Sequence, residues 1–259
     1  MSLVTSWSPQ HYLRFADERA RPARDLLAQV PLSAPSLVYD LGCGPGNSTA
    51  LLAEAYPDAE IVGVDNSEEM LAEARRSLPA RTFVLGDLAR WLPQGTPDLL
   101  FSNATFHWIP EHAAVMTKLM AALPKGGVLA LQMPDNLEEP SHRLMRETAA
   151  AGPWSLKLAG AGGARSVLHS PQTYYDLLRP FGSRVDVWHT TYYHPLEGAP
   201  AIVDFLGSTA LRPYLGPLDE EERARFLAEY TARIAAAYPV GPGGNVLLRF
   251  PRLFIVAVR

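Results

Sequence analysis

The sequence predicts an α/β fold, a doubly wound and mostly parallel β-sheet with helices on both faces. Three observations lead there. An apolar run, Leu37–Leu41, passes into the glycine-rich turn Gly42-Cys43-Gly44-Pro45-Gly46-Asn47 and then into a helical stretch, Thr49–Ala55. Short apolar segments then alternate with helical ones throughout the first half, the signature of parallel strands joined by crossover helices. Finally, 259 residues with 47% apolar side chains suffice for one large core.

Each element has its own signal. Residues 10–29 have near-helical spacing of Tyr12, Phe15 and Arg19, with Ser8 as N-cap, and Pro22 is expected to start a second helical segment. Strands are expected at Leu37–Leu41, Glu60–Val64, Thr82–Leu85, Asp98–Ser102 and Val128–Met133. Helices fall between them at Thr49–Ala55, at Glu68–Ser77 behind the N-cap Ser67, and from Glu111 to Leu123. Beyond Leu137–Ala150, a further helix, residues 152–170 are rich in Gly and Ala and read as a mobile surface loop. Gln172–Arg179 is a short helix. Arg184–Tyr193 alternates as a strand, with Val185, Val187, His189 and Thr191 on one face and Asp186, Trp188 and Thr190 on the other. Helices follow at Ala199–Leu206 and Glu220–Tyr238. Val246–Phe250 and Leu253–Val258 form a last strand, interrupted at Pro251 by a bulge or an edge position. The expected organisation is a single domain over 1–259: an N-terminal helical cap (1–34), a ligand-binding core (35–135), and insertions at 136–182 and 198–240 on the substrate side.

Composition narrows the function classes. The net charge of −4 and the absence of a basic run argue against a nucleic-acid or anionic-membrane surface. All but three of the 23 basic residues are Arg, the side chain suited to bidentate carboxylate binding, although a genomic codon bias gives the same count. The single cysteine, Cys43, rules out a disulfide framework and fits a reducing cytoplasm. No segment reads as a signal peptide or a membrane span. The seven histidines (His11, His107, His112, His142, His169, His189 and His194) have no zinc-ligand spacing, and no metal is expected.

The chemistry gathers where strands end. A glycine loop between strand and helix lets a ligand approach the backbone, and the helix N-terminus offers N–H groups. The spacing here is Gly42, Gly44, Gly46, with Asn47 where a dinucleotide fingerprint has its third glycine. Asp40, two residues before the loop, would repel a pyrophosphate and attract an ammonium group such as that of S-adenosylmethionine, or else cap loop amides. Asp65 lies 21 residues beyond Gly44, at the end of the second strand, where an acid accepts from ribose hydroxyls or else complements a helix dipole. Asn66 and Met70 would then flank the adenine. Gly86-Asp87-Leu88 closes the third strand, with Asp87 accepting the adenine amino group, capping a helix, or both. Cys43, set between glycines with no histidine near it in sequence, is not expected to act as a nucleophile.

Asp40–Gly46, Asp65, Gly86-Asp87, Asn103-Ala104 and His107-Trp108 together resemble the class I S-adenosylmethionine-dependent methyltransferases, over roughly residues 35–135. The resemblance implies a Rossmann-like seven-stranded sheet whose last strand is antiparallel. It also implies that Asn103 and Ala104 lie beside the sulfonium carbon and that the N-terminal helix closes over the cofactor. Trp7-Ser8-Pro9-Gln10-His11-Tyr12-Leu13, Gln132-Met133-Pro134-Asp135-Asn136, Gly152-Pro153-Trp154, Leu211-Arg212-Pro213-Tyr214-Leu215 and Leu248-Arg249-Phe250-Pro251-Arg252 are similar to segments of the trans-aconitate 2-methyltransferases, along nearly the whole chain.

That resemblance implies methyl esterification of a carboxylate of trans-aconitate, a small tricarboxylate. A carboxylate is ionised at neutral pH, so no general base is required. The carboxylates that do not react need cationic or donor partners. Arg212, next to Tyr214 in the second insertion, is the first candidate clamp, against its reading as an exposed loop Arg. Arg165 is a weaker one, and Gln132 and Asn136 are possible donors, with Asp135 a helix cap. His107 and Trp108 sit at the active-site edge, against a packing role. Tyr12 contacts cofactor or substrate, against packing on its helix. The alternatives are a methyltransferase for another small acid or an amine, a nicotinamide-dependent oxidoreductase, and a binding protein that holds the cofactor without transfer.

Overall fold

The computed structural model describes residues 16–207 and 209–259, so the expectations for Tyr12 and for the start of the first helix lie outside the described residues. Seven strands form one sheet in the order β3-β2-β1-β4-β5-β7-β6. They are β1 (Leu37–Leu41), β2 (Glu60–Asp65), β3 (Thr82–Leu85), β4 (Leu99–Asn103), β5 (Val128–Pro134), β6 (Arg184–Leu196) and β7 (Val246–Val258). Strands β1 to β5 pair in parallel, and β7 runs antiparallel to β5, as expected. Strand order reverses at β1, whose neighbours are β2 and β4. In an open α/β sheet a ligand crevice lies outside the carboxyl ends of the strands at such a switch point.

The chain divides into two compact units. One holds Arg19–Pro134, Ser166–Thr190 and Arg252–Arg259. The other holds Asp135–Arg165 and Thr191–Pro251, with the described residues through Glu18. Residues 166–182, expected with the first insertion, therefore group with the sheet core.

The sheet unit carries helices α1 (Ala16–Leu27, from Arg19 on), α2 (Asn47–Ala55), α3 (Glu68–Ser77), α4 (His112–Ala122) and α6 (Pro171–Leu178). All seven residues of β5 are buried, the near-continuous apolar run of a strand covered on both faces. Leu41, Leu100, Leu129, Leu131 and Ile255 meet Phe106, Met116, Leu119 and Tyr174 in the larger core cluster. α3 begins where sequence predicts. Ser67 accepts from the Met70 N–H at 3.3 Å, with Glu68 and Glu69 in the first turn and Arg75 and Arg76 in the last, an arrangement that complements the helix dipole.

The second unit is helical around two strand segments. It carries α5 (Pro140–Ala151), α7 (Gly198–Gly207), the short α8 (Arg212–Leu215) and α9 (Glu220–Ala237). α9 packs on α5 and α7. It starts with a capping box in which the Asp219 carboxylate accepts from the Glu222 N–H while the Glu222 side chain accepts from the Asp219 N–H.

The structure corrects several expectations. α1 runs through Pro22 without restarting there. α5 begins at Pro140, with Glu139 rather than Asp135 as N-cap, since proline suits a first turn. Arg212–Leu215, for which sequence predicts no helix, form the turn of α8. β7 is continuous through Pro251, whose carbonyl accepts from the Asp135 N–H at 3.0 Å although the residue has no N–H of its own. Residues 152–170 are anchored: Trp154 and Leu158 are buried, and the Trp154 indole N–H donates to the Thr148 carbonyl at 2.9 Å. Among the described residues no helix is long and apolar enough to cross a membrane.

Candidate functional site

The loop after β1 is stapled to the end of β2. The N–H groups of Gly42 and Cys43 donate to the Val64 carbonyl at 2.7 and 3.1 Å, and the Gly44 N–H donates to Asp65 Oδ2 at 2.9 Å. Gly42 and Gly44 have φ of +72° and +55°, a region that costs any residue with a Cβ. A Cβ added at Gly44 would meet nothing within 4 Å, so the turn presents open space. Gly46 precedes α2, and no side chain caps this N-terminus. Its amides keep their polarity for an incoming group.

Asp40 behaves differently from the expectation. It is fully buried, and its Oδ2 accepts from Ser48 Oγ at 2.7 Å and Thr49 Oγ1 at 2.6 Å. Burial raises its pKa to about 6 against these hydrogen bonds, and the charge of Asp65 adds to the rise. The carboxylate therefore pins the glycine turn to the first turn of α2 from inside, and a surface attraction for an ammonium group is not its main work. Neither Ser48 nor Thr49 was singled out from the sequence. Burial also pushes the Cys43 thiol up, away from thiolate chemistry.

Asp65 is half-buried. Its Oδ1 accepts from the Ser67 N–H at 2.9 Å, which together with the Gly44 bond fixes the carboxylate at the strand end. A carboxylate has about four acceptor sites, so two fixed bonds leave capacity for a diol. Asn66 is exposed and Met70 half-buried beside it. Asp87 is exposed and its Oδ1 accepts from the Ala89 N–H at 3.0 Å, the capping geometry. Leu88, placed by sequence among cofactor contacts, is instead a core side chain.

At the end of β4, Asn103 has an enclosed Oδ1 with no hydrogen-bond partner among the described residues. Ala104 follows with φ of +59°, held there by its N–H donating to the Gln132 carbonyl at 2.8 Å. A non-glycine residue in this region stores backbone strain, which concentrates at functional sites. Thr105 Oγ1 donates to the Gly42 carbonyl at 3.1 Å, tying the β4 turn to the glycine turn. His107 is buried and Trp108 exposed, their rings 5.0 Å apart. Gln132, buried on β5, accepts at Oε1 from Arg252 Nη1 at 3.2 Å.

The second unit contains a separate polar cluster. Arg165 Nη1 donates to Asn136 Oδ1 at 3.0 Å and lies 3.1 Å from His142 Nε2. Burial, then the charges of Arg165 and Arg146, push His142 down to about 3, so it is neutral and accepts at Nε2. Its Nδ1 faces Ser141 Oγ at 3.2 Å. The Ser141 backbone is gripped in turn: its N–H donates to Tyr238 Oη at 3.1 Å, and Tyr230 Oη donates to its carbonyl at 2.8 Å. Burial lowers Arg165 to about 10, with Asp135 and Tyr214 acting in the opposite sense. Burial raises Tyr214, which feels the charges of Arg146 and Arg165. Arg212, the preferred clamp by sequence, is exposed two residues away, because one turn of α8 carries its side chain off the face that Tyr214 buries. Residues 136, 142 and 165 have no shared spacing, so no sequence signal joins them. Among the described residues no group of three His, Cys, Asp or Glu is placed to hold a metal ion.

Comparison with known proteins shows the family and the fold. The family model described as "Methyltransferase domain" matches residues 38–127. A trans-aconitate 2-methyltransferase from Rhodopseudomonas palustris (strain HaA2) is 53% identical over 256 residues, covering 99% of this chain and 100% of the relative. One from Agrobacterium fabrum is 55% identical over 254 residues, covering 98% and 99%. Two solved structures share the fold. A SAM-dependent methyltransferase from Thiobacillus denitrificans, in complex with S-adenosyl-L-homocysteine, has a TM-score of 0.56 at 19% identity and covers 100% of both chains. The YcgJ protein from Bacillus subtilis has a TM-score of 0.61 at 12% identity, covering 92% and 98%. With more than half of its residues identical over essentially the full length of such relatives, the chain belongs to the family of trans-aconitate 2-methyltransferases.

Proposed function

We propose that this protein methyl-esterifies one carboxylate of trans-aconitate with S-adenosylmethionine as donor. The observation that carries the reading is the full-length identity above 50% to relatives of that name, joined to a glycine turn at the switch point of the sheet. The residues present fit the cofactor: open space before Gly44, an Asp65 carboxylate fixed with acceptor capacity to spare, and an enclosed Asn103 Oδ1. When bound, S-adenosylmethionine supplies an electrophilic methyl group on a sulfonium.

The chain's own residues then have three tasks. Asp65 orients the ribose through its hydroxyls while the Gly42–Gly46 turn receives the polar end of the ligand, with Asn66, Met70 and Asp87 around the base. Asn103 Oδ1 and the strained Ala104 line the place of the reacting carbon. No residue has to remove a proton, because the acceptor carboxylate is already ionised. The protein's contribution is to align that oxygen and strip its water. His107 and Trp108 border this edge. Asp40 holds the loop in shape from within. A single buried cysteine fits a reducing, cytoplasmic setting.

Incubation with methyl-labelled cofactor and trans-aconitate is expected to give a base-labile methyl ester, and calorimetry is expected to detect S-adenosylhomocysteine binding without NAD binding. Transfer to an amine in place of a carboxylate would overturn the acceptor assignment. NAD binding with no S-adenosylhomocysteine binding would overturn the donor.

A further inference from the structure

Gln132 lies near the end of β5, beside the edge where the proposed reaction places Asn103 and Ala104. All of these residues, and Arg252, belong to the sheet unit. Gln132 pairs in register with Asn103 on the parallel strand β4, so the two side chains project to the same side of the sheet. The Gln132 carbonyl accepts from the Ala104 N–H at 2.8 Å, which ties the end of β5 to that strained residue. Gln132 is 1% exposed, and its Oε1 accepts from Arg252 Nη1 at 3.2 Å. That bond fixes the sense of the amide, because a flipped amide would set two donors face to face. Its Nε2 therefore points away from Arg252 Nη1, and among the described residues it has no hydrogen-bond partner. The same holds for Asn103 Oδ1.

A donor and an acceptor thus stand on neighbouring strands, whose backbones lie about 4.8 Å apart. The two reactants of a carboxyl methylation need these opposite characters. A methyl carbon on a sulfonium is electron-poor and is accommodated by an acceptor such as Asn103 Oδ1. A carboxylate needs a donor, and a donor sheltered from water makes the stronger bond to it.

We infer that Gln132 Nε2 donates to the reacting carboxylate of the acceptor and turns its other oxygen towards the methyl carbon. The bond that forms joins that oxygen to the methyl carbon. The bond that breaks joins the carbon to sulfur, which keeps the electron pair, and no proton moves. A neutral amide suits this task, since it orients the carboxylate without neutralising the oxygen that attacks. The inference rests on the carboxyl-methylation reading and adds to it the residue that aligns the nucleophile.

Gln132→Glu removes the donor and keeps an acceptor for Arg252. Gln132→Met removes both without adding charge. In each variant, calorimetric binding of trans-aconitate in the presence of S-adenosylhomocysteine is expected to weaken by about tenfold or more, the loss of one hydrogen bond to a charged group. Turnover of trans-aconitate falls at least as far. S-adenosylhomocysteine affinity stays within about twofold, which shows that both variants are folded with the cofactor site intact. Unchanged trans-aconitate binding in either variant overturns the inference. So does a loss of S-adenosylhomocysteine affinity as large as the loss for trans-aconitate, the pattern of a merely structural residue. If both variants esterify trans-aconitate as well as wild type does, the inference falls and the reaction stands. If wild type esterifies other carboxylic acids but not trans-aconitate, and both variants lose that activity, the proposed acceptor falls and the role of Gln132 stands. A wild-type protein that esterifies no carboxylate overturns both.

Discussion

Thr105 lies directly over Gly42: a Cβ built on that glycine would fall 2.2 Å from both Thr105 Cγ2 and Oγ1, while Thr105 Oγ1 donates to the Gly42 carbonyl. The turn after β4 is thus seated on the turn after β1, and the only side chain that permits the seat is hydrogen. Gly44, two residues on, has the same left-handed backbone and empty space in front of it.

The pair separates stability from binding. Gly42→Ala is expected to lose about 2–4 kcal/mol, from positive-φ strain together with displacement of Thr105 and its hydrogen bond. Gly44→Ala is expected to cost only about 1–2 kcal/mol and to abolish S-adenosylhomocysteine binding, because its methyl projects into the space a ligand needs. Denaturant unfolding and calorimetry on the two variants check the contrast, and equal loss of stability in both would refute it.

Two buried titratable groups pull stability in opposite directions with pH. Asp40 has its pKa raised by burial from 3.8 to about 6. The folded protein therefore binds this proton more tightly than the unfolded chain, and a penalty builds as pH rises from about 4 to 6. Asp40→Asn removes that penalty, so its unfolding free energy should gain on wild type across this window. His142 is lowered by burial from 6.5 to about 3. Its penalty builds instead as pH falls below 6.5, because the unfolded chain takes up the proton first. His142→Gln should therefore gain on wild type towards acid pH. Urea unfolding at pH 4, 5 and 6 checks both signs.

Arg212→Ala should leave KM for trans-aconitate within about twofold, as for a typical exposed substitution. Tyr214→Phe removes a buried hydroxyl beside Arg165 and should raise KM several-fold, by the value of about one hydrogen bond. Steady-state kinetics decide between them, and a large effect of Arg212→Ala would return the clamp to the residue that sequence favours.

Trp154 packs edge-on to Phe226, with ring centroids 5.4 Å apart, and a Cβ on Gly152 would fall 2.2 Å from its ring. Trp154→Ala should cost about 3–5 kcal/mol, as for a fully buried large aromatic residue. An unfolding midpoint within error of wild type would mean that residues 152–158 are not anchored as described.

The parts of the fold that were legible in sequence are those set by neighbours along the chain. Glu68–Ser77 was readable to the residue because Ser67 caps it and its end charges match the dipole. β1 and β3 were readable because each is a short apolar run closed by glycine. β7 was misread at Pro251, since a missing N–H says nothing about the carbonyl that pairs with Asp135. In the candidate site, Asp65 followed from its place at a strand end, whereas the inward turn of Asp40 depended on two hydroxyls in α2 that only the folded helix brings to it.

By itself the sequence determined the α/β architecture, the glycine turn and the acids that close the strands, because these depend on periodicity, on residues that tolerate positive φ and on short-range capping. Only the tertiary structure decided that Asp40 is enclosed, that Leu88 belongs to the core, that Arg212 faces solvent, and that Asn136, His142 and Arg165 meet. Burial and long-range hydrogen bonding are set by the packing of segments far apart in the chain, and no spacing along it encodes which side chain a helix turns inward.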